Sequence, residues 1–302
     1  MSKENTAVTK KKIKRCKEDV VFDAACFIIL TLVLFVVAYP LYWVIISSIS
    51  GKVLLHPIGF TLKGYAEVFK NDQVMRGFLN SLIITFCGVM VNLIVTLPTS
   101  YALSRSNFSG KKPITIFYLI TMFFGGGLIP TYLVIQRLQM LNTIWALILP
   151  GCLSVYNMIV ARTFFKSNIS EELYEAAEID GCTQARFFFQ IALPLSKAII
   201  AILVLYYGVG HWNSYFSALV YISDKAKYPL QLVLRNILIT NQTALSQTAT
   251  TAAARAALQE KQQLIDVMKY SLIIISSIPV LVMYPLVQKH FVKGVMIGSM
   301  KG

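Results

Sequence analysis

Residues 170–181 combine the residue types of a capped helix with those of a surface that another protein can approach closely. The hydroxyl of Ser170 can cap a helix, and the carboxylates of Glu171 and Glu172 then suit the positive end of the helix dipole. Gly181 can end the helix because a left-handed residue without a Cβ has no steric cost. The residue types of this segment therefore suit a docking surface for another protein rather than a reaction centre.

Within this segment, Ala176 and Ala177 share a helix face with Asp180, which predicts a smooth patch for a partner protein. Glu175 precedes the patch and offers a carboxylate to a basic group of that partner. A second short helix is expected to follow. Pro194 should end it, because proline lacks the amide hydrogen and clashes with the preceding turn.

Other reactive side chains show no catalytic or metal-binding arrangement in the sequence. His56, His211 and His290 lie far apart without metal-ligand spacing, and no GxxxxGK[ST] segment cradles a nucleotide phosphate. The five cysteines are scattered and form no CxxC pair, so we interpret them as small apolar residues. We therefore expect no enzyme activity, no metal site and no cofactor in this chain.

Polar and irregular residues inside apolar runs are candidates for a substrate path. Gly125, Gly126 and Gly127 interrupt one such run near its middle, where a broken helix can line a cavity. Close packing of helices at small residues is an equally good explanation of these glycines. A second run contains polar and aromatic residues that suit sugar hydroxyls and sugar faces, namely His211, Trp212, Asn213 and Tyr215. Helix–helix hydrogen bonding is the alternative for this group.

The composition identifies the elements that must position these residues. Of 302 residues, 56% are hydrophobic and only 14% are charged, against roughly 25% charged in average soluble chains. The mean hydropathy is +0.63. A soluble domain cannot hide so much apolar surface, so the chain is predicted to be an integral membrane protein, with lipid around it. Its net charge of +14 is then assigned to cytoplasmic loops rather than to nucleic-acid binding.

Six charge-free apolar runs are long enough for membrane-spanning helices, at residues 24–51, 77–104, 113–136, 138–161, 198–223 and 270–288. A bilayer core of about 30 Å needs roughly 20 helical residues, and backbone amides in lipid must be satisfied within each segment. The predicted fold class is therefore all-α and polytopic. Residues 236–254 are also free of charge, but their many amide and hydroxyl groups exclude them as a span.

Lysine and arginine counts place both termini and the loop between spans two and three in the cytoplasm. Three regions follow: a basic cytoplasmic tail at residues 1–21, a transmembrane domain at 22–290 and a second tail at 291–302. The segment 166–197, which contains the docking helix, is also cytoplasmic.

Two kinds of transporter fit six spans. A carrier driven by an ion gradient usually has carboxylates within its spans, and all six runs here lack Asp, Glu, Lys and Arg. The absence favours a transporter whose energy comes from a partner protein.

The docking segment also resembles a known family. It is similar to the EAA loop of permeases in ATP-binding-cassette (ABC) importers. The similarity includes the spacing, which is Glu175-Ala176-Ala177, three residues, Gly181, nine residues and then Ile191-x-Leu193-Pro194. The resemblance covers nearly the whole chain and is strongest to maltose-type (MalG-like) sugar permeases, so it implies the type I importer permease fold. It also implies that the quoted residues couple the permease to an ATPase.

The substrate branch follows from other segments. The runs that begin at Gly125 and Tyr221 resemble the LplC/YtcP-like permeases, a branch associated with oligosaccharides and uronates from polysaccharides. A permease for a different solute class remains the alternative. The chain end resembles the family's C-terminal tail at Lys293, Gly294, Lys301 and Gly302. The resemblance implies that this tail reaches the interface of the ATPase pair.

The resemblance implies a set of partners in the cell membrane. They are a second homologous permease, two cytoplasmic ATPase subunits that bind ATP and Mg²⁺, and an extracellular solute-binding protein that delivers the oligosaccharide.

Overall fold

The structure is a computed structural model that describes residues 17–53, 57–244, 265–285 and 287–288. Its first half comprises α1 (Lys17–Ser48), β1 (Ser50–Val53), β2 (Pro57–Phe60), α2 (Lys63–Lys70), α3 (Asp72–Ser104), α4 (Lys111–Phe123), α5 (Leu128–Arg137), α6 (Trp145–Ile148) and α7 (Val155–Asn168). Its second half comprises α8 (Glu171–Ile179), α9 (Gln184–Phe187), α10 (Leu193–Leu195), α11 (Lys197–Trp212), α12 (Phe216–Tyr221), α13 (Leu230–Ala244) and α14 (Ile265–Pro285).

Three predicted runs coincide with the continuous helices α1, α3 and α14, and the third and fourth runs with bent helix pairs. The fifth run coincides with α11 and α12, and α11 itself is bent relative to the helix that precedes it. The axis turns by 113° between α4 and α5, by 52° between the α6 segment and α7, and by 80° between the helix ending at Leu195 and α11. The third span is broken at Gly125–Gly127, where the sequence predicted an interruption, and α5 does not continue in the direction of α4. The third break follows Pro194 by two residues, since the chain stays helical through Leu195.

The long helix α3 is the central element and packs against α7 and α11. Three of its buried polar residues, Asn92, Thr96 and Ser100, recur every four residues and so share one face of the helix. Asn92 donates to the carbonyl of Gly151 at 2.7 Å, and Ser100 to that of Met158 at 3.1 Å. This polar ladder joins α3 to the turn before α7 through Gly151 and to α7 itself through Met158.

Two apolar clusters lie at opposite ends of α3. The inner cluster surrounds Tyr101 and contains residues of α7, α8, α9 and α11. The outer cluster surrounds Trp212 and contains residues of α2, α3, α13 and α14. The charge-based orientation places the inner cluster on the cytoplasmic side.

Helix α1 lies apart from the other helices. None of its most apolar 18-residue window is buried within the chain, and only Ser47 and Ser48 of the helix are buried. The hydroxyl of Ser271 donates to the carbonyl of Ser48 at 3.1 Å, and the Ser48 hydroxyl bonds that of Tyr65 at 2.8 Å. The helix is therefore joined to the rest of the chain at its C-terminal end.

The two predicted tails are described only in part or not at all. Helix α1 begins at Lys17, so residues 17–21 of the predicted N-terminal tail are helical. Lys293, Gly294, Lys301 and Gly302 lie outside the described residues, and the role of this tail stays a prediction.

Candidate coupling site

The docking segment forms α8, and its first turn has the predicted cap. The backbone N–H of Leu173 donates to the Ser170 hydroxyl at 3.3 Å, which satisfies one of the free amides at the start of the helix. Glu171 and Glu172 lie in the first turn. The cap fixes where the helix begins.

The end of α8 confirms the predicted role of Gly181. Its φ angle is +74°, and a Cβ at this position would meet nothing within 4 Å. Backbone conformation rather than crowding therefore selects glycine here. The N–H of Cys182 donates to the carbonyl of Ala177 at 2.9 Å and that of Gly181 to Glu178 at 3.0 Å, which is the Schellman pattern.

One face of α8 packs on the chain itself. Tyr174 and Ala177 belong to the inner cluster, and Ala177 is only 9% exposed. The Tyr174 ring meets the edge of Phe187 with centroids 5.2 Å apart. The expectation that both alanines form an exposed patch is therefore wrong for Ala177, because the helix turns it toward α9.

The opposite face of α8 is open. Glu175, Ala176 and Asp180 are exposed, as predicted for a docking surface. Ile179, which the sequence argument overlooked, is 86% exposed. A large apolar side chain that projects from a charged cytoplasmic helix is the signal that would have revealed it.

Arg105, just beyond the end of α3, holds the start of α8. Its guanidinium pairs with the carboxylate of Glu171 at 2.8 Å and lies 3.9 Å from the ring centre of Tyr174. The other Glu171 oxygen accepts from the N–H of Ser106 at 3.2 Å. The Arg105 side chain is 13% exposed. A glutamate expected only to suit the helix dipole therefore also joins α8 to the central helix.

Two cavities flank this contact, with volumes of about 360 and 290 Å³. Tyr101 and Arg105 line both of them. The start of α8 is thus held by a few side chains, and open space lies beside them.

The second part of the predicted motif lies under α8. Ile191 and Leu193 pack against the inner cluster, whereas Pro194 is exposed. The segment Phe188–Ala192 is a π-helical turn, and such turns are frequent at functional sites. These residues therefore support the docking helix from inside the chain.

The three glycines predicted for the substrate path form the break between α4 and α5 and are all exposed. Gly127 has a φ angle of +85°. A Cβ at Gly125 would meet nothing within 4 Å, and one at Gly126 or Gly127 would meet only Pro130. Within the described part of the chain, the glycines bend the backbone and do not bring helices together.

The predicted polar group of α11 divides into two pairs. His211 Nε2 bonds Asn92 Oδ1 at 2.7 Å. Trp212 is 1% exposed and donates to the carbonyl of Ser276 at 2.8 Å. Trp212 is thus a core residue without surface for a sugar, and His211 joins helices, which was the alternative explanation. Asn213 and Tyr215 are exposed, and their contact with substrate stays a prediction.

Apolar spans, broken helices and a capped docking helix between two spans define a class of membrane transport protein. Comparisons with known proteins give the same class. No family model matches the chain. It is 35% identical to the polygalacturonan/rhamnogalacturonan transport system permease YtcP of Bacillus subtilis, over 93% of this chain and 98% of that one. It is 38% identical to protein LplC of the same organism, over 93% and 95% of the two chains.

A solved structure gives the same result. A chain of a bacterial ABC transporter that imports the acidic polysaccharide alginate matches with a TM-score of 0.80 and 26% identity, over 92% of this chain and 99% of that one. The chain therefore belongs to the permease subunits of ABC sugar importers, and it is an integral protein of the cell membrane. The family resemblance and the all-α permease fold are both confirmed.

Proposed function

We propose that α8 is the coupling helix through which a partner ATPase opens and closes the sugar path of this permease. The exposure of Ile179 at the end of α8 supports this proposal most directly. Ile179 is not isolated, because Ala176 is exposed one turn before it, and apolar patches that polar residues border mark surfaces that bind another protein. A short amphipathic helix that projects from the membrane suits a groove on that protein.

The outward face of α8 specifies the chemistry of the groove. At 100° per residue, Glu172, Glu175, Ala176 and Ile179 lie opposite Tyr174 and Ala177, and all four are exposed. Two apolar residues are thus bordered by two carboxylates. The ATPase should supply an apolar floor for Ile179 and basic groups at the rim.

The inward face of α8 explains how motion of the ATPase reaches the membrane. Tyr174 and Ala177 share the inner cluster with Tyr101 of α3 and Leu203 of α11. Close-packed side chains transmit displacement because they cannot be compressed. A push on α8 therefore moves α3 and α11, the two long helices that share this cluster.

The partner set follows from the family and from α1. Relatives of this chain are components of transport systems, which supports partner ATPases that bind ATP and Mg²⁺ and an extracellular solute-binding protein. A second homologous permease would cover the unburied apolar surface of α1 and complete the path. The full transporter would then have two permeases and two ATPases.

The proposed substrate is an oligosaccharide derived from a polysaccharide, including those with uronate groups. Two similar proteins support this class, namely the polygalacturonan/rhamnogalacturonan permease and the alginate importer. The 29% identical permease GanQ of Bacillus subtilis belongs to a galactooligosaccharide system, so neutral galactooligosaccharides are the comparison substrates.

The test measures saccharide-stimulated ATP hydrolysis by the assembled transporter in proteoliposomes. Ile179→Asp should lower binding of the ATPase about 30-fold, because a loss of roughly 2 kcal/mol is typical of an interface hot spot. Ile179→Leu preserves the apolar contact and is the matched control. Normal stimulation of the Ile179→Asp transporter would contradict a coupling role for α8.

A further inference from the structure

We propose that a groove between α7, α11 and α14 is a saccharide-contact site on the translocation path, with Asn157, Tyr206 and Tyr284 as its polar contacts. The groove has a volume of about 430 Å³ and is otherwise apolar, lined by Leu205, Val209 and Val280. Its size lies within the range of small-molecule sites. The inference rests on the proposed oligosaccharide transport and assigns residues that the sequence argument did not.

Asn157 is the central observation. It is only 7% exposed and lines the groove. Its backbone N–H donates to the Ser154 hydroxyl at 3.4 Å, but its side-chain amide has no hydrogen bond to any residue that the structure describes. The amide lies at the groove surface, where its one acceptor and two donors can bond a ligand. The groove should therefore receive a ligand that offers hydrogen bonds.

The groove lies within the membrane-spanning segments. Asn157 lies four residues before the end of the apolar run 138–161, and Tyr206 eight residues after the start of the run 198–223. At 1.5 Å per residue, these distances from the cytoplasmic ends of the two runs are about 6 and 12 Å. Half of a hydrocarbon core of about 30 Å is close to 15 Å. Both side chains thus lie in the cytoplasmic half of the membrane.

A sugar fits the combination of groups better than a lipid chain does. The half-exposed rings of Tyr206 and Tyr284 offer flat apolar faces with hydroxyls at their edges. The Asn157 amide adds one acceptor and two donors. Sugar C–H faces can pack on the rings while sugar hydroxyls bond the amide and phenol groups. An acyl chain would leave all three polar groups unbonded.

The contrast with the polar ladder strengthens the assignment. Asn92, Thr96 and Tyr207 are buried in this region. Asn92 bonds His211, and Thr96 bonds Tyr207, both at 2.7 Å. The groove residues differ because they line an open space and their side chains have no hydrogen bond to any residue that the structure describes.

The first experiment compares hydroxyl deletions in the reconstituted transporter, with oligogalacturonides and galactooligosaccharides as probes. Tyr206→Phe should lower the maximal rate of saccharide uptake at least fivefold, and Asn157→Leu at least tenfold. Tyr156→Phe removes the same hydroxyl from an exposed tyrosine of α7 that does not line the groove, and it should transport normally. Normal uptake by Tyr206→Phe and Asn157→Leu would overturn the inference.

The second experiment measures water access without relying on transport. In a chain whose native cysteines are replaced by serine, Tyr206→Cys should react with a charged, water-soluble thiol reagent faster than Leu34→Cys, which lies on exposed apolar α1. A saccharide that stimulates ATP hydrolysis should slow this reaction at least threefold.

Each remaining outcome has a defined meaning. Equal labelling at the two positions would show that lipid or a partner helix covers the groove and would overturn the inference. So would labelling that a stimulating saccharide does not slow. If no saccharide stimulates the unaltered transporter, the proposed function fails, and the inference fails with it.

Discussion

Ala176 and Ala177 are neighbours in the sequence but face different surroundings. Ala176 is exposed on the outward face of α8, and Ala177 packs beneath the helix with Tyr174 and Phe187. A turn of 100° per residue is enough to separate them. The same substitution should therefore have different consequences at the two positions.

Aspartate substitutions test this separation. Ala177→Asp buries an unpaired carboxylate among aromatic rings and should lower the thermal stability of the detergent-solubilised chain without any ATPase present. Ala176→Asp should leave that stability within about 0.5 kcal/mol, as is usual at exposed sites, but weaken copurification of the ATPase. Equal melting temperatures for the two variants would contradict the packing of Ala177.

A series at Gly181 tests the left-handed turn. Asparagine tolerates this conformation, whereas a residue with an ordinary Cβ loses roughly 1–2 kcal/mol. Saccharide-stimulated ATP hydrolysis should therefore decrease in the order Gly181, Gly181→Asn and Gly181→Val. The open space around the position removes crowding as an explanation. A Gly181→Val transporter with wild-type stimulation would mean that the turn is dispensable.

At the scale of elements, α3 and α8 are joined by the Arg105–Glu171 pair. The Glu171 side chain is 45% exposed, so solvent screening limits the ion pair to about 0–1 kcal/mol. The Tyr174 ring adds a cation–π contact of about 0.5–1 kcal/mol. The pair is thus better suited to transmit the motion of α8 than to hold the fold.

A double-mutant cycle measures this link. Arg105→Ala and Glu171→Ala should each lower saccharide stimulation of ATP hydrolysis, and the double variant should be little worse than either one, because both remove the same contact. Arg105→Lys keeps the charge but loses the planar contact with Tyr174, and it should be intermediate. Independent, additive losses would show that the two residues act separately.

Two threonines of α3 provide a matched test of the polar ladder. The Thr96 hydroxyl bonds that of Tyr207 at 2.7 Å, whereas the buried Thr85 hydroxyl has no partner among the described residues. Thr96→Val should destabilise the chain by about 1 kcal/mol, the usual net value of a hydrogen bond. Thr85→Val should be neutral or stabilising. Thermal unfolding in detergent distinguishes them, and equal losses would contradict the ladder.

At the scale of the whole molecule, the sequence predicted which segments enter the membrane but not how they bend. Missing charge identifies an apolar segment, and it contains no information about the direction of a helix axis. Gly125–Gly127 and Pro194 indicated that breaks occur, yet the residue types at a break do not determine the turn of 113° between α4 and α5. Similarly, the spacing of the motif residues predicted α8, whereas the face of α8 that packs on the chain could be assigned only from the position of α9.

The isolation of α1 leads to a whole-molecule prediction. Replacing residues 24–43 by leucines should preserve insertion and leave the melting temperature of the chain nearly unchanged, because this helix buries almost nothing within the chain. Helix association in lipid depends on shape-specific packing, so copurification of the second permease should fall. Unchanged copurification would place the second permease elsewhere.

The same helix has a consequence for how the subunit is made. It leaves the ribosome before the other spans and can partition into lipid at once, whereas its tertiary packing must wait for another polypeptide. Until then it presents a long helix whose most apolar window has no cover from its own chain, a feature that membrane proteases can recognise. The cellular lifetime of the subunit, rather than its folding, would then report whether the transporter has assembled.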